Sequence, residues 1–316
     1  MAYTSGGTIQ AQDYNWLTWG GNTSGTYTES VNNLAIIWGQ GTGQKGYGQD
    51  VSAFSTVSAT NEVTAAQWSG FIYHLNKSLG HQSQTQLASG SNIGIVAGAT
   101  VEAFANVQTA VNQINSTYLT HHAVGTKTTG SNLDETLSST TGLSIGTNYD
   151  VTVTFSSTDA ARYFFNAGGE LQYRCSTYNS GGSGSENSVT RIVNGIGGVN
   201  FRTTDNGGRT GSGITLNTNT TSIGYYDLTT SEQTLIKVTD TTAAYTASNA
   251  NLNVYYVGAT TRGAKGNVVR FRLNLAVSNK TWNDTISMGL RHRVDIQYPS
   301  TTYLANAAGT PTPALA

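Results

Sequence analysis

Four of the five histidines, His74, His81, His121 and His122, fall within the first 130 residues. His74 and His81 are seven apart on a stretch of helical period, whereas zinc ligands sharing one helix favour spacings of about three to five. No Asp, Glu or Cys accompanies them at close range, so solvated or hydrogen-bonded imidazoles are expected rather than a metal site. His121-His122, followed by Asp134-Glu135, carries acid-base residue types beside abundant Ser and Thr. No Gly-x-Ser-x-Gly elbow follows a strand-like run, and Asp134-Glu135 lies in a polar stretch where a solvated face is expected. Gly195-Ile196-Gly197-Gly198 and Asn206-Gly207-Gly208 lack the Lys-Ser/Thr of a phosphate loop and the acid of a dinucleotide site. They read as turns, with Asn206-Gly207 a hairpin candidate. Neither catalysis nor a cofactor is expected.

The remaining candidates belong to interfaces. Arg270, Arg272, Arg291 and Arg293 alternate with apolar residues, and on neighbouring strands they would gather four cations on one side of a hairpin. Nucleic acid would suit such a patch. The chain as a whole carries a formal charge of −1, and aromatic rings are not interleaved on that face, so a subunit interface or solvated face is expected instead. Tyr14 and Trp16 are further candidate interface residues, because aromatic side chains give large contact area at low entropic cost.

These residues stand on an unusual background. Only 10% of the 316 residues are Asp, Glu, Lys or Arg, against roughly 25% in an average soluble domain. Gly, Ser, Thr, Asn and Gln take their place, giving a surface that can be buried against a polar neighbour without stranding ions. Three Pro, little net charge and 9% aromatic residues argue for order nearly throughout. A single Cys, Cys175, excludes an intramolecular disulfide framework. The start, Met1-Ala2-Tyr3-Thr4-Ser5-Gly6-Gly7, has no basic or apolar run, and no stretch approaches a membrane span, so synthesis in a cytoplasm without insertion into a bilayer is expected. Charge is uneven: residues 1–160 hold 3 basic and 9 acidic side chains, residues 161–316 hold 13 and 8. Copies could attract one another head to tail.

The elements follow from periodicity. Thr64 reads as an N-cap, with Trp68, Phe71, Ile72, Leu75 and Leu79 on one helical face behind it. Phe104, Val107, Val111, Ile114 and Tyr118 repeat the pattern, and Val31, Leu34, Ile37 and Trp38 mark a shorter helix ending at Gly39. From about Thr147 the period becomes two: Tyr149, Val151, Val153 and Phe155, then Val269 to Val277, then Leu290 to Tyr298, the last two joined by a turn near Ser278-Asn279-Lys280. A short helix over Asp159–Gly169 and glycine loops at 181–184 and 207–213 interrupt the strands. The expected fold is α+β: a mostly helical domain at 1–130, a Ser/Thr-rich linker at 131–146, an antiparallel sandwich-like domain at 147–302 and an extended tail at 303–316.

Asp159-Ala160-Ala161-Arg162-Tyr163-Phe164-Phe165-Asn166-Ala167-Gly168-Gly169-Glu170-Leu171 and Gly224-Tyr225-Tyr226-Asp227-Leu228-Thr229-Thr230 resemble segments of uncharacterised virion structural proteins of tailed bacteriophages, those of marine and cyanobacterial phages above all. Asp13-Tyr14-Asn15, Gly46-Tyr47-Gly48-Gln49 and Val63-Thr64-Ala65-Ala66-Gln67-Trp68 look like a module at the start of proteins in the same group. Leu171-Gln172-Tyr173-Arg174-Cys175 departs from that group, which tends to be richer in Ser and Arg there. The resemblance implies a non-catalytic virion component of the neck, tail or fibre, with portal, neck or tail proteins as partners and self-association as a homo-oligomer, three-fold being the first expectation for a fibre. A receptor- or glycan-binding tail tip and a capsid decoration protein are the alternatives.

Overall fold

The computed structural model describes residues 9–20, 33–41, 43–87, 101, 104–139, 145–242, 244–277, 284–305 and 310–316. Among them the chain is α+β, with helices and two antiparallel sheets, and it divides into two compact units. The first comprises Met1–Gly125, Arg162–Gly168 and Pro299–Ala308; the second comprises Thr126–Ala161, Gly169–Tyr298 and Gly309–Ala316. The boundaries are therefore not the linear ones read from composition.

The first unit holds α1 (Ala11–Trp19), α2 (Leu34–Trp38), α3 (Ala65–His81) and α4 (Phe104–Ser116). Thr64 caps α3 as expected: its side chain accepts from the Gln67 amide while the Gln67 side chain accepts from the Thr64 amide. This reciprocal box satisfies two donors that the first turn would leave open. Trp68, Phe71, Ile72, Leu75 and Leu79 all point into the core, where Phe104, Val107, Val111 and Ile114 of α4 join them. Asn33 caps α2; Val31, read as the first residue of that helix face, lies outside the described residues.

The short helix expected within Asp159–Gly169 is α5 (Thr158–Asn166), and from Arg162 onward it counts with the first unit. The reason is a set of hydrogen bonds to the glycine-rich segment 40–46. Arg162 donates to the carbonyls of Gly43 (3.1 Å) and Gln40, Tyr163 donates to Gln40 (3.2 Å), and Asn166 donates to Gln44 and Gly46 (2.9 Å each). Two of the segments that carried the resemblance, Arg162-Tyr163-Phe164-Phe165-Asn166 and Gly46-Tyr47-Gly48-Gln49, are thus packed together. Gly48 has φ +67°, and a Cβ there would stand 2.4 Å from the Tyr163 ring, so glycine is required on two counts.

The second unit is built on β1 (Lys127–Thr128), β2 (Leu133–Ser139), β3 (Ile145–Thr154), β4 (Glu170–Tyr178), β5 (Gly198–Phe201), β6 (Thr215–Asn219), β7 (Gln233–Thr239), β8 (Asn249–Val257), β9 (Val268–Val277), β10 (Ile286–Gln297) and β11 (Thr312–Leu315). One sheet runs β1-β10-β4-β5 with β2 also on β10; the other runs β11-β3-β9-β8-β7-β6. Their buried faces meet, with the Tyr173 ring stacked on Phe271 at 5.2 Å and Phe201 edge-on to Phe271 at 5.7 Å.

Three expectations are corrected here. Residues 133–139 are no linker: β2 pairs with β10 over Leu133–Ser139, and its inward positions, Leu133, Glu135 and Leu137, alternate with exposed polar ones, Leu137 being buried. The tail at 303–316 carries an extended strand, β11, antiparallel to β3. The glycine loop at 181–184 opens a full helix, α6 (Gly184–Ile196), with its own Ser183–Glu186 capping box and Val189, Ile192, Val193 and Ile196 buried against strands of both sheets. Asn206-Gly207 is not a hairpin tip either; Asn206 bridges Phe201, and its amide donates to the carbonyls of Thr220 and Ile223 (2.9 Å each). No described helix is long and apolar enough to cross a membrane.

Candidate assembly surface

Alternation along β9 and β10 places the four arginines on polar faces as expected, but the hairpin is corrected. β9 lies between β3 and β8 in one sheet, β10 beside β4 in the other, and the expected turn at Ser278-Asn279-Lys280 lies outside the described residues. Arg270 and Arg272 therefore belong to a different sheet from Arg291 and Arg293.

Each cation also meets a carboxylate. Arg272 donates to both oxygens of Asp150 (2.6 and 2.5 Å) and to Glu232 (2.6 Å), and these contacts raise its pKa. Arg270 reaches Asp150 at 3.5 Å and the Tyr255 hydroxyl at 3.3 Å. Arg291 forks onto Asp134 (2.7 and 2.8 Å) over the Tyr178 ring, holding the Asp134 carboxyl below its ordinary value. Arg293 and Lys127 share Asp295 at 2.8 and 3.2 Å. Each of the four arginines is thus paired with a carboxylate, and the nucleic-acid reading loses the cation cluster on which it rested.

Tyr14 is corrected as an interface residue. It is fully buried in the first unit, edge-on to Phe71 at 6.0 Å, with its hydroxyl donating to the Gln67 carbonyl (3.4 Å), so it is core. Trp16 is half-buried and tilted against Phe104 at 6.4 Å.

The histidines separate likewise. His81 is wholly buried on α3, edge-on to Tyr47 at 5.0 Å, and neither ring nitrogen has a partner. Burial, with repulsion from His121 and His122, pushes its pKa down to about 3. His122 packs on the Tyr303 ring (5.3 Å), and His74 sits between Trp38 and Phe54 with its pKa lowered by burial. Among the described residues no group of three or more His, Cys, Asp or Glu is arranged to hold a metal. His121 and His122 belong to the first unit and Asp134 and Glu135 to the second.

The fifth histidine sits in a buried polar chain that reading by residue type missed. His292 Nδ1 lies 2.7 Å from the Tyr173 hydroxyl, and Nε2 faces Glu135 at 4.0 Å. Cys175 stands opposite His292 in the strand register. Burial lowers His292 to about 4, raises Glu135 and pushes the Cys175 thiol up to about 12. A thiol so held is protonated at neutral pH and is no nucleophile. With His292 and Tyr173 fully buried, this chain ties β2, β10 and β4 together within one sheet, away from solvent. The inward position of His292 in the β10 alternation was the available signal.

What the second unit offers to a partner are its sheet edges. In the six-stranded sheet, β6 reads Thr-Leu-Asn-Thr-Asn, exposed at every position but one, with no charge and with Leu216 40% exposed. A bulge interrupts it at Leu216/Thr218, and at its far end the Arg209 N–H donates to Asn219 Oδ1 (3.1 Å). At the opposite edge, Ala316 N–H donates to the Asp150 carbonyl (3.1 Å), so 150/316, 152/314 and 154/312 are the hydrogen-bonded pairs. Pro313 falls between them with its nitrogen facing away from β3, where a proline costs no bond and removes an outward donor. Among the described residues, β11 thus lacks an outward donor at Pro313, while β6 carries neither proline nor charge.

No protein-family model matches this chain, and no curated protein or solved structure matches it.

Proposed function

We propose that this chain is a non-catalytic structural subunit of a bacteriophage virion, a neck, tail or fibre component that assembles by packing against copies of itself and against other virion proteins. The first unit is read as the helical particle-docking part and the second as a sandwich-like part that extends the assembly. The observation that carries the reading is β6: an uncharged, exposed edge strand of five residues with an exposed leucine, which a solitary protein would guard with charge or proline. The neutralised arginine ladders support it, since paired charges can be covered at less cost than single ones. A receptor-binding tip calls for clustered exposed rings. Among the described residues the large exposed hydrophobics include one aromatic, Tyr73, so a packing role is preferred.

Immuno-electron microscopy of virions, with antibody raised against this chain, tests the reading. Label at the neck, tail or fibres is expected. Unlabelled particles, together with a purified chain that remains a monomer at high concentration, overturn it.

A further inference from the structure

We propose that β11 pairs in trans, residues Thr312–Leu315 of one copy lying on β3 of a neighbouring copy in the register seen here, so that subunits are joined by exchanged strands. The inference rests on the reading of the chain as an assembling subunit and names the segment that does the joining.

The first observation is how β11 is held. Among the described residues β3 is the one element with which it makes more than glancing contact, and that contact is a backbone ladder. Thr312, Ala314 and Leu315 are exposed, Leu315 to 39%, and beyond the ladder the strand is held by the buried Pro311 just before it and by the Thr152 hydroxyl, which donates to the Ala314 carbonyl (3.3 Å). The second is what β3 requires. Its other edge is paired with β9 over all ten residues, and Val151 and Val153 are fully buried, so β3 is a core strand whose remaining edge needs a partner. The backbone groups of Asp150, Thr152 and Thr154 that face this edge are those β11 engages. Any copy of the segment satisfies them identically, which is the condition under which exchange replaces one set of bonds by the same set.

The third observation is where the segment starts. Residues 299–308 count with the first unit, in which Leu304 is buried and Ala305 N–H donates to Gln49 Oε1 at 2.8 Å. From that anchor to Thr312 the chain spans at most about 25 Å when extended. The strand is thus an arm fixed at its root to one unit and complementary along its length to another. Pro313 limits further pairing: once seated, the arm presents no outward donor at that position.

The test uses full-length chains carrying single substitutions, Thr152→Cys in one and Ala314→Cys in the other, co-expressed and oxidised. These residues are directly opposed in the ladder, at a spacing that a disulfide bridges. Exchange predicts that about half of the mixed material runs as covalently linked pairs on a non-reducing gel, the share that random mixing allows, with neither variant linking alone. Thr154→Cys with Thr312→Cys, one step along the ladder, serves as a second pair if the first disturbs folding. If single variants stay unlinked while the double variant T152C/A314C closes within one chain, the strand remains on its own sheet and the proposal is overturned. Sedimentation of the unmodified chain separates the two claims: an oligomer without cross-links overturns exchange alone, and a monomer without cross-links overturns assembly as well.

Discussion

His81 in the first unit and His292 in the second each bury an imidazole whose Nε2 has no hydrogen-bond partner. Burial penalises the cation and holds the folded-state values at about 3 and about 4, below the ordinary 6.5. Below pH 6.5 the unfolded chain takes up protons that the folded chain refuses. Stability is therefore full above that value and falls as the pH drops towards 4, by up to ~1.4 kcal/mol per pH unit for each residue. Asp240 and Asp295, whose values are depressed, lose their contribution only below the ordinary carboxylate value of 3.8, and Glu135, raised by burial, acts in the opposite sense. Urea midpoints should accordingly fall between pH 7.5 and pH 5.0, and His81→Gln should flatten that dependence; a midpoint unchanged across the window would rule the account out. Gly48→Ala should cost ~2 kcal/mol or more, because positive φ and the Tyr163 ring both oppose a Cβ. Thermal melts of the variant measure it, and an unshifted midpoint would mean that Gly48 does not stand against the Tyr163 ring as described.

At the scale of elements, β2 and α6 show how polar composition misleads. Ser131 to Gly146 reads as a linker because Ser and Thr dominate, yet period-two placement of Leu133, Glu135 and Leu137 is enough to seat a strand on β10. Leu137→Ala should lower stability by ~2–4 kcal/mol, the cost of a cavity in a core; a leucine in a solvated linker would change the urea midpoint hardly at all. α6 was hidden by glycines at 181–184, although Ser183 and Glu186 spell a capping box and Val189, Ile192, Val193 and Ile196 keep helical spacing behind it. α3, with the same two signals and no glycine cluster in front, is legible from residues alone.

At the scale of the whole molecule, the open β6 edge and the exchangeable β11 arm make assembly concentration-dependent, so the sedimenting mass should rise above the 33.3 kDa of one chain as concentration increases. Leu216→Lys at the open edge should lower that mass while leaving the melting midpoint within the ~0.5 kcal/mol typical of surface changes; an unaltered mass would show that β6 is not a contact. What residue order alone determined here is local: that α3, α4 and α5 are helices and β3, β9 and β10 strands, which face of β9 or β10 is apolar, where Thr64 caps, and how little charge the surface carries. Only the tertiary structure decided that β9 and β10 belong to different sheets, that Asp150 and Asp134 neutralise their arginines, that Tyr14 is core, and that Arg162 and Asn166 fasten a segment more than a hundred residues away. Periodicity fixes the direction of a side chain relative to its own backbone, whereas the choice of partner strand or partner charge rests on contacts distant in sequence, which no short window of residues contains.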